Sequence, residues 1–175
     1  MLKIWFAELQ YTPIGPLGFA ATEKGLARIS LFGLDKLRDE VILRRFPAES
    51  LQAMSAGAPA HLEAGLAQVD EYLQGWHRVF DLPLDLDGLT PLTLQIMAAC
   101  RAIPFGQKKT YQQLALEVDR PRAARFVGNT MARNPIPLVV PCHRVVGSDG
   151  SLHGFGAPGG IKTKAWLLQM ERTLE

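Results

Sequence analysis

The sequence predicts a mixed α/β protein in two parts, an α/β unit over residues 1–87 and a mostly helical unit over residues 88–175. Three observations predict this class. Residues 2–9 alternate apolar and polar side chains, as a half-buried strand does. Beyond residue 90 the apolar side chains recur at helical spacing instead. Between the two regions, DLDGLTP clusters Asp, Gly and Pro, which is typical of a connector.

The first unit contains most of the predicted strands. Residues 2–9 form the first strand, and LGFAAT and LARISLF flank EKG as the two strands of a hairpin. VFDLPLDLD, near residues 79–87, predicts another strand. Two helices are expected between them, and the second is the better defined. Its apolar residues recur at helical spacing, namely Leu62, Leu66, Val69 and Leu73.

The second unit opens with a helix that Thr90 caps and Pro91 begins. One apolar face of this helix carries Leu92, Ile96, Cys100 and Ile103. Because Cys100 lies on that buried stripe, we expect it to be a structural thiol.

Two shorter helices follow. Thr110 and Gln113 have the spacing of a capping box, so a helix is predicted from Tyr111 to about residue 119. A further helix is predicted to open at Pro121 and to stop before Pro135. Two short helices joined by a tight turn indicate a helix-turn-helix, although many such hairpins bind nothing.

The second helix of this pair has an unusual face. Ala124 and Gly128 are four residues apart beside Arg125, whereas helices that read bases in the major groove normally present longer polar side chains. A smooth face of small residues suits close approach to a backbone or to a narrow minor groove. Arg125 is then the one long polar side chain on this face.

Composition excludes several classes of protein. With 175 residues and 47% hydrophobic side chains, the chain can bury a core. MLKIWFAELQ alternates and so does not resemble a signal peptide, and no apolar run approaches the roughly 20 residues that span a bilayer. We therefore expect a cytoplasmic protein without membrane contact. Two cysteines are too few for a disulfide framework or a cysteine-rich zinc site, so one can be a nucleophile.

Positive charge is concentrated in one region, although the net charge is only +2. From residue 108 to 144 the acidic residues are Glu117 and Asp119 alone. The basic residues there are Lys108, Lys109, Arg120, Arg122, Arg125, Arg133 and Arg144. Such an excess fits a phosphate-binding surface, and it also fits an ordinary solvated basic face.

The segment NPIPLVVPCHRVV combines a cysteine, a histidine and three prolines. The prolines predict a stiff, extended chain that delivers Cys142 into apolar surroundings. A buried thiol is normally inert, so reactivity needs a base, and His143 is adjacent. Neighbours in an extended chain point to opposite sides, so a bridging water would connect them. Glu171, near the end of the last helix, is the candidate carboxylate to orient the imidazole. The alternative is a core thiol beside a surface histidine.

These segments resemble a known family. IPFG, TYQQLA, RAARFVG, NPIPLVVPCHRVVGSDGSLHGF and GGIKTKAWLL are similar to the C-terminal domain of the O6-alkylguanine-DNA alkyltransferases, over residues 88–171. The N-terminal half resembles the family more loosely, through PIGPLGFAATEKGL. The resemblance implies a ribonuclease H-like domain over residues 1–87 and a helix-turn-helix domain over residues 88–175.

The resemblance implies a reaction. The protein would bind double-stranded DNA containing O6-alkylguanine through the minor groove and flip the damaged base. It would then transfer the alkyl group irreversibly to Cys142, acting once and as a monomer without a cofactor. His143 would be the water-mediated base and Glu171 the third member of the relay. Tyr111 would assist flipping and donate a hydrogen bond as guanine leaves, and Asn134 would brace the turn before the cysteine segment.

The resemblance also implies two sets of contact residues. Those assigned to DNA are Arg125, which would replace the extruded base, and Ala123, Ala124, Gly128 and Tyr111. Those assigned to the base and alkyl pocket are Met131, Val145, Phe155 and Gly159.

This chain departs from the family pattern at two places. GFGAPGGIK carries Ala157 and Pro158 where many relatives have a shorter glycine-rich turn, and Met97 stands where relatives often have tryptophan. The four histidines are dispersed, so the zinc site of some relatives is not expected.

Three other functions share some of these features. A non-catalytic lesion sensor flips the same base but carries another residue in place of Cys142. A cysteine hydrolase would use Cys142 and His143 but would need an oxyanion hole and no arginine-bearing helix pair. A transcriptional regulator would need a further DNA-binding or metal-binding domain.

Overall fold

The computed structural model describes residues 3–44, 51–53 and 57–174 of the chain. The predicted mixed α/β class is confirmed, and the chain forms two compact units, Met1–Leu86 and Asp87–Glu175. The assignment of residues 1–87 and 88–175 as functional domains stays a prediction. In the described part of the chain, no helix has the length and apolar character needed to cross a membrane.

The first unit is built on a four-stranded sheet. Its strands are β1 (Ile4–Leu9), β2 (Leu17–Ala21), β3 (Leu26–Ser30) and β4 (Leu51–Ala53). The order is β3-β2-β1-β4, with β1 antiparallel to β2 and parallel to β4. The predicted first strand and hairpin are therefore confirmed. Two helices accompany the sheet, α1 (Gly33–Arg44) and α2 (Ala60–Leu73).

Helix α2 buries the face that its periodicity predicts. Leu62, Val69 and Leu73 are buried, whereas Leu66 is only partly covered. Gly65 takes part in the packing, because a Cβ there would lie 3.7 Å from a methyl group of Leu26. Burying each leucine contributes about 1.5–3 kcal/mol, so this stripe holds the helix on the sheet.

The strand predicted at residues 79–87 is wrong. Only Leu84 pairs there, in a single bridge to Leu26, and Val79 is 76% exposed. Pro83 has no N–H to donate to a ladder, and Asp85 turns its carboxylate to the Thr22 hydroxyl, which donates to it over 2.7 Å. This segment is therefore irregular, and it pairs with a single residue of β3, Leu26.

The second unit has four helices and one short strand pair. The helices are α3 (Pro91–Arg101), α4 (Tyr111–Glu117), α5 (Ala124–Ala132) and α6 (Ile161–Thr173). The strands are β5 (Lys109–Thr110) and β6 (Val145–Val146), which pair in parallel. The predicted N-caps are confirmed. Thr90 Oγ1 accepts from Thr93 N, and Thr110 and Gln113 form a reciprocal capping box.

The start predicted for α5 is wrong by three residues. Residues 121–122 form a turn, in which Ala123 N donates to Arg120 O over 2.8 Å, and the helix begins at Ala124. The chain reverses before this point through Asp119, whose φ of 55° is left-handed. Gln112 of α4 also donates to the Pro121 carbonyl over 2.8 Å. The proline thus serves the connection between the helices, and α5 ends before Pro135 as predicted.

Candidate active site

The cysteine segment turns where an extended chain was predicted. Residues Cys142–Arg144 form one 3-10 turn, in which Arg144 N donates to Pro141 O over 2.9 Å. Upstream, Leu138 has a left-handed φ of 74°, and Val140 O accepts from Cys142 N over 2.8 Å. The prolines therefore stiffen a tight fold of the chain, and the expectation that neighbouring side chains point to opposite sides does not hold.

Because of this turn, His143 and Arg144 both lie inside the protein. His143 is fully buried and Arg144 is 4% exposed. The alternative of a core thiol beside a surface histidine is therefore wrong. Arg144, which was counted among the basic surface residues, is a buried cation that needs a buried partner.

Glu171 of α6 is that partner, and it binds three groups. His143 Nε2 donates to Glu171 Oε1 over 2.8 Å, and Arg144 donates through both Nε and Nη2 at 2.9–3.1 Å. Gly106 N donates to Oε2 over 3.0 Å. Arg144 Nη1 donates to Ile103 O over 2.6 Å. The carboxylate thus ties the cysteine turn to α6 and to the connection after α3.

The charges in this cluster set its protonation. Burial raises the pKa of Glu171, but hydrogen bonds and charge from His143 and Arg144 outweigh it and hold that pKa at about 2. Burial lowers the pKa of His143, with Glu171 opposing the shift. The carboxylate therefore stays ionised and accepts the Nε2 proton. Nδ1 is then the basic nitrogen of the neutral imidazole.

Cys142 is 7% exposed, and its surroundings act on its thiol in opposite directions. Burial raises the pKa, whereas a hydrogen bond from the Asn134 side chain and the charge of Lys164 lower it. Asn134 also fixes the turn, because its Nδ2 donates to Val140 O over 2.7 Å and its Oδ1 accepts from Ile136 N over 3.0 Å. Both bonds lie in the turn that Asn134 is predicted to brace, and that role stays a prediction.

Lys164 was missed by the sequence reasoning. It is 1% exposed, and its Nζ donates to Val145 O over 2.7 Å. Burial lowers its pKa, and the charges of Cys142 and Cys100 raise it. The sequence offers no local signal for this position, since a lysine in the first turn of an amphipathic helix usually faces water.

Tyr111 lies beside the cysteine segment because of the β5/β6 pairing. It follows Thr110, which pairs with Val146 of β6. It is half-buried, and burial, followed by the charge of Cys142, raises its pKa. A Cβ at Gly128 of α5 would lie 3.8 Å from the Tyr111 ring. The small-residue face therefore borders the tyrosine.

Arg125 is exposed on α5, with Phe126 beside it 41% exposed. Ala123 and Ala124 at the start of the helix are partly covered. Of the seven predicted basic residues, five are exposed: Lys108, Arg120, Arg122, Arg125 and Arg133. Lys109 is half-buried and pairs with Glu117 at 2.6 Å.

The residues predicted for the pocket differ in exposure. Met131 is 7% exposed, Val145 is fully buried, Phe155 is partly covered and Gly159 is exposed. A side chain at Gly159 would collide with the Thr163 hydroxyl. Within the described ranges, no three His, Cys, Asp or Glu side chains are grouped so as to hold a metal ion.

Residues 91–173 match the family model described as "6-O-methylguanine DNA methyltransferase, DNA binding domain". This range contains Cys142, His143, Glu171 and the α4–α5 pair. The match and the buried thiol with its histidine and carboxylate define the class, a cysteine-bearing methyltransferase domain that binds DNA.

Similarity extends over nearly the whole chain. It is 39% identical over 161 residues to the methylated-DNA–protein-cysteine methyltransferase of Salmonella typhimurium, covering 91% of each chain. It is 36% identical over 160 residues to that of Methanosarcina barkeri, covering 91% of this chain and 92% of the relative. The structure of Mycobacterium tuberculosis OGT in complex with DNA is similar, with 30% identity, a TM-score of 0.77 and coverage of 97% and 94%. The chain therefore belongs to the methylated-DNA–protein-cysteine methyltransferase family.

Proposed function

We propose that this protein repairs alkylated DNA by direct reversal, transferring the alkyl group of O6-alkylguanine to its own Cys142 once per molecule. The observation that carries the proposal is the buried contact of 2.8 Å between His143 and Glu171 next to Cys142. A thiol placed next to a histidine that a carboxylate orients is the arrangement that activates a cysteine nucleophile.

The reaction is a displacement at carbon. The Cys142 sulfur forms a bond to the alkyl carbon as the bond from that carbon to guanine O6 breaks, and the electron pair of that bond leaves with the base. The thiol proton passes through a bridging water to His143 Nδ1, since Nε2 is engaged by Glu171. Tyr111 stays protonated because its pKa is raised, so it donates a hydrogen bond to the departing guanine.

Several features favour a Cys142 thiolate that forms only during the transfer step. Burial keeps Cys142 protonated at rest, and Lys164 and Asn134 favour the thiolate that develops. Arg144 and His143 both donate to Glu171 Oε1, and the Arg144 charge, like burial, lowers the pKa of His143, which keeps the imidazole neutral and able to accept a proton. The thioether product is stable, so each molecule repairs one lesion.

The DNA partner is recognised by the second unit. Helices α4 and α5 act as a helix-turn-helix, and the small residues of α5 allow close approach in the minor groove. Arg125 enters the base stack and replaces the flipped guanine, offsetting a flipping cost of a few kcal/mol. Met131, Val145, Phe155 and Gly159 surround the flipped base and its alkyl group.

The first unit is a ribonuclease H-like domain, an assignment that the order β3-β2-β1-β4 with its parallel outer strand supports. The protein acts in the cytoplasm as a monomer.

The test is intact and peptide mass spectrometry after mixing the protein with a duplex that contains one O6-methylguanine. We expect one added methyl group, on the Cys142 peptide, saturating at one per protein. The control is Cys142→Ser, which should abolish transfer and retain DNA binding. Tight lesion binding with unmodified Cys142 would establish the sensor function instead. Turnover of an ester by the DNA-free protein would establish the hydrolase.

A further inference from the structure

A polar cluster outside the buried site lies on the loop after β6. Residues 147–151 form a tight turn, closed by Gly147 N donating to Ser151 O over 2.9 Å. Ser151 N donates to Asp149 Oδ1 over 3.0 Å, and the Ser151 hydroxyl is 3.0 Å from His153 Nε2. A hydrogen bond from the Ser151 side chain lowers the pKa of Asp149. Asp149, Ser151 and His153 are therefore linked in that order, first through the Ser151 backbone N–H and then through its hydroxyl.

The far end of this cluster lies on Tyr111. The His153 and Tyr111 rings have centroids 5.7 Å apart and planes inclined by 53°, a tilted aromatic contact. Tyr111 has a second neighbour in Gly128 of α5, which leaves room for the ring. Among these three residues, His153 is thus the one that contacts Tyr111, which has a role in the proposed reaction.

Gly147 makes room for the cluster. A Cβ built there would lie 2.5 Å from Ser151 Oγ, 2.7 Å from Asp149 Oδ1 and 2.8 Å from His153 Nε2. Three polar atoms from three residues therefore converge over a position where any side chain would displace them. Gly147 directly follows β6, so the cluster is anchored at the end of the cysteine segment.

The order of the bonds excludes a second hydrolytic centre. In a serine hydrolase the carboxylate binds the histidine, which in turn binds the serine. Here Asp149 binds Ser151 instead. If the serine proton lies on the carboxylate side, His153 Nε2 donates to the serine oxygen. That arrangement fixes the plane of the imidazole rather than activating the serine.

We propose that His153 is a positioning residue for Tyr111. This inference rests on the proposed function. Asp149 and Ser151 fix the imidazole, and the imidazole holds the Tyr111 ring so that its hydroxyl meets the leaving guanine. His153 acts through that hydroxyl, so its effect belongs to the transfer step and not to DNA affinity.

The experiment measures single-turnover methyl transfer at saturating lesion duplex, together with duplex affinity, for a double-mutant cycle. We expect His153→Ala to slow transfer roughly tenfold with affinity changed less than about twofold, because a small misplacement of a hydrogen-bond donor is costly. His153→Phe, which keeps a ring on Tyr111, should recover most of the rate. In a Tyr111→Phe background, His153→Ala should have less than about twofold further effect.

The matched control is His77→Ala in the first unit. His77 makes nearly the same kind of ring contact, to Phe80 at 5.6 Å and 57°, and its Nδ1 also lies 3.5 Å from Glu71 Oε2, so the variant reports what losing a ring contact and that pair does to stability. We expect its transfer rate to equal that of the unmodified protein.

The outcomes separate the two proposals. Full additivity of His153→Ala and Tyr111→Phe, or an unchanged rate in His153→Ala, would overturn the positioning role while the repair function stands. A loss in His153→Ala that appears only as weaker DNA binding would overturn it as well. No methyl on Cys142 of the unmodified protein would overturn both.

Discussion

The buried cluster of His143, Arg144 and Glu171 and the outer face of α5 place their charges in opposite environments. His143, Arg144 and Glu171 are almost wholly removed from water, and each charge there is matched by a partner within 3.1 Å. On α5, Arg125 is exposed, and the small residues Ala124 and Gly128 lie beside it on one face. Fixed chemistry needs enclosed, paired charge, whereas binding to DNA needs charge that is exposed.

The two regions should therefore respond differently to mutation. Changing the buried cluster should reduce stability and transfer together, because the same bonds hold the fold and orient the imidazole. Changing the surface of α5 should alter DNA recognition and leave the folded state nearly as it was.

Glu171→Gln should be the most damaging change. It leaves Arg144 and His143 buried without a full counter-charge, so we expect the free energy of unfolding to fall by about 3–5 kcal/mol. Methyl transfer by the fraction that remains folded should fall as well, since the imidazole loses its orienting carboxylate. Denaturant unfolding and single-turnover kinetics measure the two effects.

The matched control is Glu117→Gln, which breaks the surface pair with Lys109. Both partners are partly solvated, so we expect a loss below about 1 kcal/mol and normal transfer. Similar losses of unfolding free energy in Glu171→Gln and Glu117→Gln would show that burial does not determine how much the Glu171 contacts stabilise the fold.

Acid should destabilise the protein through the same carboxylate. Glu171 has a pKa of about 2 in the folded protein and an ordinary value of 4.5, so its contribution is present above pH 4.5 and is lost as pH falls toward 2. That shift corresponds to about 3 kcal/mol. The lowered pKa of His143 acts in the same direction below its ordinary value of 6.5.

Unfolding free energies measured at pH 7, 5 and 3 test this dependence. The unmodified protein should lose stability at each step, and Glu171→Gln should lose markedly less between pH 5 and 3. A parallel decline in both proteins would assign the acid sensitivity to other groups.

Features set by neighbouring residues could be predicted from the sequence. The capping box of Thr110 and Gln113 acts over three residues, and it places the start of α4 correctly. The apolar stripe of α2 has the same local origin. The segment at residues 79–87 fails because its pairing depends on Leu26, more than fifty positions away, which no local pattern encodes.

The site was less accessible to prediction for the same reason. Glu171 could be suggested only as a carboxylate late in the chain, since 28 positions separate it from His143 and spacing gives no distance. Arg144 was assigned to the surface because arginine usually lies there. The 3-10 turn at Cys142 follows a left-handed leucine at 138, where the sequence has no glycine to indicate it.

Arg125→Ala should affect base flipping more than DNA affinity. If Arg125 fills the stack, its loss removes about 2 kcal/mol from the flipped state, which is roughly a 30-fold slower transfer at saturating duplex. Affinity should fall less than about fivefold, because four other exposed cations in the same region remain. Fluorescence of 2-aminopurine placed beside the lesion reports flipping directly.

Arg133→Ala is the matched control, since Arg133 is exposed and follows the same helix. It should weaken binding by a similar factor and leave the transfer rate at saturation unchanged. Equal loss of binding and flipping in both variants would contradict a separate role for Arg125.

Gly128→Ala should produce the smallest effect, and it should distinguish stability from DNA affinity most clearly. A Cβ at this position would make an ordinary contact with Tyr111 at 3.8 Å, and alanine favours a helix over glycine by about 0.5–1 kcal/mol, so stability should rise. In the proposed function DNA approaches this face of α5 closely, so the added methyl group should lower DNA affinity. Gly65→Ala in α2 is the control, with nearest contacts at 3.7–3.8 Å, and it should gain stability without changing DNA binding. If Gly128→Ala binds DNA as well as Gly65→Ala does, the small face of α5 serves only to accommodate Tyr111, and close approach to the groove must depend on the arginines.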